Sequence, residues 1–208
     1  MKIRGEAVYV NTEGTHHEIK GVGIISDSSA LQKMKISGEL SFDEIFCDSV
    51  IIEGKCEGGS LTAKIFSVEG KAEIDSIKVE QTFKLEGKPK LGKVEADEIV
   101  IESCSGSIGE VKCRRMKIFN RSNAVNMVVF TKAFGKKFFS KELSDFNDIP
   151  RVRVKNIDAE KVELENCEVD VVRCQDAFIG ANCVIEKLFV AGECSVAGDS
   201  TVGETIRT

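Results

Sequence analysis

The 208-residue chain has only 2 Pro, no Trp, 1 Tyr and 2 His. No stretch approaches the roughly 18 apolar residues of a membrane-spanning helix. The opening MKIRGEAVYVNTEG lacks the apolar core of a signal peptide, so secretion by that route is not expected. The P-loop, nucleophile-elbow and zincin motifs are missing, and so is any paired-cysteine motif. The two histidines, His16 and His17, fall in a polar stretch near the N-terminus and are read as exposed side chains. The apolar fraction of 42% and charged fraction of 30% sit near the globular average, which excludes disorder, collagen and coiled coil. A net charge of −5 argues against a general nucleic-acid binder.

What is plentiful is glycine, at 18 residues, and it recurs in a pattern. Glu53-Gly54-Lys55, Glu69-Gly70-Lys71 and Glu86-Gly87-Lys88 follow one another at nearly equal intervals. The residues before each triplet match: EIFCDSVIIEGK, SLTAKIFSVEGK and SIKVEQTFKLEGK. The unit continues as KVEADEIVIESC and EVKCRRMKIFNR, then returns as NIDAEKVELENC and VVRCQDAFIGAN. Inside each unit, apolar and polar residues alternate in two short runs, the mark of strands with one buried face. Asn-Gly and Asp-Gly hairpin pairs are missing, so a tandem repeat of this length reads as a parallel β-solenoid. One repeat of extended chain gives a perimeter of roughly 55 Å, which suits a triangular coil. Gly54, Gly70 and Gly87 are expected at one corner, with positive φ. Proline is scarce because nearly every N–H must pair with the next coil.

The 8 cysteines fall on the same grid. Without export they are expected to stay reduced and to act as small buried hydrophobes. Cys47, Cys113 and Cys174 take the second inward position, held by Ala63, Ala96 and Ala159 in other units, while Cys104, Cys167 and Cys183 lie near unit ends. Zinc sites place cysteines two to four residues apart, whereas the closest pair here, Cys167 and Cys174, is seven apart. No metal site, cofactor site or catalytic residue is therefore assigned. The many carboxylates follow outward strand positions and single out no acid–base pair.

The rhythm falters between Met116 and Val162, a span read as two coils with extra residues or as three tight coils. Residues 112–155 carry 12 Lys or Arg against Glu142, Asp145 and Asp148, a net of +9. The remainder of the chain is then −14, from −5 minus 9. Lys132, Lys136, Lys137 and Lys141 interleave with Phe134, Phe138 and Phe139. This cluster is a candidate docking surface for an anionic membrane or an acidic partner. The plainer reading is a Phe plug with a solvated lysine face. Over residues 177–203 a six-residue cadence (AFIGANC, FVAGEC, SVAGDS) resembles the hexapeptide repeat of left-handed β-helix acyltransferases. That family depends on a histidine base, and this stretch has none.

The stacked units over residues 36–121 resemble the bactofilins, polymer-forming cytoskeletal proteins of bacteria. The run IDAEKVELENCEVDVVRCQDAFIGANCVIE resembles the second half of the long forms found in Bacillus and Clostridium relatives. The resemblance implies a right-handed β-helix and nucleotide-free filament assembly. It also implies a cytoplasmic or membrane-associated scaffold for envelope, shape or motility functions, with no enzymatic activity. The expected class is thus all-β, a single-stranded right-handed parallel β-helix of about 16–17 residues per coil. Its expected parts are an N-terminal strand or cap segment (1–35), regular coils (36–121), degenerate coils with the basic insert (122–155) and C-terminal coils (156–208). An uncapped solenoid end exposes unpaired N–H and C=O groups that another copy can pair. The C-terminal coil, with Val190, Val196 and Val202, is the expected self-assembly surface.

Overall fold

A computed structural model describes residues 2–9, 16–25, 31–119 and 151–208. It is a β-solenoid, all strands parallel in one sheet, with no helix among the described residues. The strands are β1 (Lys2–Tyr9), β2 (His16–Ile25), β3 (Leu31–Glu102), β4 (Gly106–Phe119), β5 (Val152–Leu164), β6 (Cys167–Ile179), β7 (Val184–Val190), β8 (Cys194–Val196) and β9 (Thr201–Arg207). Their ladder runs β1 to β7 in chain order and ends on β9, while β8 pairs with β6. β3 is 72 residues long because ladder pairing with the neighbouring coils continues unbroken through its corners. One coil carries the chain from Lys90 to Ser107, another from Val152 to Cys167 and a third from Glu168 to Val184. Coil length therefore varies slightly along the stack, and the corners take up the difference while the ladders keep their register.

Alternation in the sequence becomes columns in the stack. Ile99, Met116, Val162 and Ala177 are register partners, as are Ile101, Ile118, Leu164 and Ile179, and all eight are buried. Lower in the stack Phe66 and Phe83, both fully buried, stack with ring centroids 5.2 Å apart. The second inward column holds Ala96, Cys113, Ala159 and Cys174 in register.

The glycine corner is longer than the Glu-Gly-Lys triplets indicate. Gly38, Gly54, Gly70 and Gly87 have φ of 137°, 135°, 127° and 116°, and Gly5 and Gly21 continue the column in register with Gly38. Gly54, Gly70 and Gly87 each lie against the carbonyl of the glycine one coil before, so a Cβ on Gly70 would overlap the Gly54 oxygen. After Gly87 the corner changes chemistry. Ser103, Asn166 and Asn182 take left-handed φ of 50°, 51° and 56°, a region that Asn tolerates best among residues with a Cβ. Asn182 Nδ2 donates to Asn166 Oδ1 at 3.0 Å, so the amides stack as the coils do.

Outward columns pair charges between coils. Arg114 grips Asp97 with two bonds of 2.7 Å, and Lys64 meets Asp48 and Lys117 meets Glu163 at 2.8 Å. The Arg114 hydrogen bond holds the Asp97 carboxyl below its ordinary range. Such exposed pairs add little stability, but a slip of one residue would turn every column over, so they reinforce register.

The described strands of the 1–35 segment, β1 and β2, join the same parallel ladder, with ten register pairs between β2 and β3. One expectation is corrected: Met116 and Val162 are direct partners, so β5 stacks on β4 and no two or three coils lie between them in the ladder. The degenerate coils and insert expected over 122–155 fall mostly on residues 120–150, outside the described residues.

Candidate functional site

The C-terminal end is where the buried columns stop. Val196 stands above Ile179 in register, yet Val196 is 42% exposed where Ile179 is 1%. Val202 covers Ile185, and Thr205 covers Leu188. Both covered residues are buried, while Thr205 is exposed and Val202 half-buried. Cys194, half-buried, closes the column of Ala177. β9 ends the ladder and is paired by β7 along one edge. The end face therefore presents Cys194, Val196 and Val202 beside an open strand edge, rimmed by Glu193, Asp199 and Glu204, which are exposed. Arg207 bends over the corner and donates to the Gly192 carbonyl, tying down the last strand without roofing the valines.

Of the three assembly residues expected from sequence, Val196 and Val202 lie on this face. Val190 does not. It is fully buried one coil deeper, in register with both Cys174 and Arg207, because each position on the spiral is covered by the residue one coil later. Lys132, Phe134, Lys136, Lys137, Phe138, Phe139 and Lys141 lie outside the described residues. β4 ends at Phe119 and β5 begins at Val152, and Arg114, Arg115, Lys117 and Arg153 lie on these two adjoining coils. A cleft of about 720 Å³ opens on these coils, lined by Arg114, Arg115, Lys117, Glu160, Lys161 and Asp176 among others. Its cations are largely answered: Arg114 by Asp97, Lys117 and Lys161 by Glu163.

The hexapeptide-like cadence of 177–203 builds further coils of the same ladder, in which Val184 of β7 pairs with Thr201 of β9. His16 and His17 sit on β2, beside Lys33 and Met34, far along the strand order from the cleft. Among the described residues no three His, Cys, Asp or Glu gather where a metal could bind. Burial pushes the Cys56, Cys104 and Cys113 thiols up to about 12, as expected of filler rather than of nucleophiles.

One contact escaped the sequence reading. Cys167 and Cys183 stack with their sulfurs 3.7 Å apart. Their separation of 16 residues equals one coil, and that equality was the available signal.

Comparison with protein-family models, curated proteins and solved structures gives no match.

Proposed function

We propose that this chain is a non-enzymatic structural protein that assembles end to end into filaments through its open solenoid face, as the bactofilin-like repeat suggests. The observation that supports it most directly is the abrupt exposure of Val196, on a column whose other members are buried. A second copy would extend the β9 edge with backbone hydrogen bonds and cover the valines, the strand-addition mode of association. The scaffold so formed organises envelope, shape or motility functions from the cytoplasm or the membrane surface. Replacing Val196 with Lys places an unpaired ammonium in the contact and is expected to lower the sedimentable fraction at least about tenfold, a change of ~1.4 kcal/mol. Circular dichroism should remain that of a folded β protein. Filaments of unchanged length under negative stain would rule this face out as the junction.

The basic, Phe-rich segment supports a second contact, towards an anionic membrane surface, compatible with the polymer. It rests on the +9 of residues 112–155 within a chain of net −5. Changing Lys132, Lys136, Lys137 and Lys141 to Glu should abolish co-sedimentation with phosphatidylserine vesicles, since each basic residue near such a surface contributes about 1 kcal/mol. Equal pelleting of the variant and the parent would remove this contact.

A further inference from the structure

We propose that Cys167 and Cys183 are an oxidisable pair, closed into a disulfide between adjacent coils by a small-molecule disulfide oxidant. Both are buried, one above the other at the point where β6 and β7 begin: the next residues, Glu168 and Val184, are register partners. Neighbouring strands lie about 4.8 Å apart, inside the roughly 4.4–6.8 Å Cα separation that disulfides adopt. The sulfurs, now 3.7 Å apart, must approach to about 2.05 Å.

The corner can supply that adjustment. Cys183 precedes β7 and follows Asn182, whose φ is 56°. Its N–H donates to Ser200 Oγ at 2.9 Å instead of to a ladder carbonyl. Among the described residues, Cys113 and Cys174 are separated in register by Ala159, and Cys194 stands over Ala177, close enough to Cys174 to act on it electrostatically.

Access comes from above. Ser200 belongs to the terminal coil, which is exposed at most positions, and end coils open at lower free energy than the middle of a stack. Opening that coil uncovers Cys183 first. The hydrogen bond shared by the two sulfurs holds the Cys183 thiol below its ordinary value and the Cys167 thiol well above it, which marks Cys183 as the attacking group. Its thiolate displaces one thiolate from the oxidant to give a mixed disulfide. Cys167, losing its proton to solvent, then attacks the Cys183 sulfur and expels the second thiol. Two protein thiols are oxidised, and one external disulfide is reduced to two thiols.

The inference is independent of filament assembly, and its test reads chemistry alone. The full chain bearing Cys174→Ser, which removes the other cysteine of the 174–187 tryptic peptide, is incubated with oxidised glutathione and alkylated. Thiols are counted after unfolding, and circular dichroism confirms the fold. The expected loss is two of the seven remaining thiols, with a disulfide joining peptides 162–173 and 174–187. Adding Cys183→Ser should abolish both the loss and the linked peptide. Retention of all seven thiols would overturn the proposal, as would a persistent glutathione adduct or linkage of any other pair.

Discussion

Replacing Gly70 with valine is expected to destabilise the protein by more than about 3 kcal/mol, read as a fall in denaturation midpoint at unchanged slope. Two effects add. The φ of 127° at Gly70 is a region that residues with a Cβ almost never occupy, at a cost of about 1–3 kcal/mol. The new Cβ would also overlap the Gly54 carbonyl oxygen and lie 2.9 Å from its carbon. That carbonyl is backbone and cannot swing aside, so the coils must separate locally and loosen ladder hydrogen bonds. Gly198 supplies the control, because a Cβ there meets no atom within 4 Å. Gly198→Ala should stay within about 0.5 kcal/mol of the parent. Equal effects at the two sites would show that the corner geometry is not what the column of glycines secures.

Phe66→Ala is expected to cost about 3–5 kcal/mol, the range for removing a buried aromatic ring. Phe66 and Phe83 are both fully buried, and their rings stack with an interplanar angle of 14°. Truncating one leaves a void flanked by the face of the other, in a wall held at fixed spacing by ladders above and below. The stack cannot collapse sideways without breaking those ladders, so the cost belongs at the upper end. Phe66→Leu, which refills most of the void, should recover at least half of it. Thermal unfolding of the two variants decides the matter: near-parental stability for Phe66→Ala would mean that the ring pair adds little to the core.

The regular part of this fold was legible because its rules are local. Alternation with period 2 fixes which side chains point inward, and a carbonyl one coil away fixes where only glycine fits. Both rules leave traces once per coil, so Gly54, Gly70, Gly87 and the Ala96–Cys113–Ala159–Cys174 column could be placed unaided. The same spacing also runs through Gly5, Gly21 and Gly38, but the N-terminal strands lack the Glu-Gly-Lys triplet that drew attention to the others. Less legible were features decided by which coil lies on top of which. Val190 and Val196 are both valines in apolar runs, yet one is covered by Arg207 and the other by nothing among the described residues. Cys167 and Cys183 looked like two separate fillers until their register made them neighbours. Single-residue chemistry does not reveal the partner when the partner is a whole coil away.

The direct pairing of Met116 with Val162 has a kinetic consequence. Almost every other ladder contact joins residues one coil apart, so the mean separation of contacts does not grow as coils are added, and lengthening the stack leaves folding speed little changed. The β4–β5 step instead closes a loop nearly three times as long as an ordinary coil, an added entropic cost of about 0.9 kcal/mol by the logarithmic law. In a one-dimensional array where each coil touches only its neighbours, the costliest junction is where growth pauses and where partial unfolding stops. Residues 31–119 and 152–208 are accordingly expected to behave as two cooperative blocks, which native-state hydrogen exchange would resolve as separate populations of protected amides.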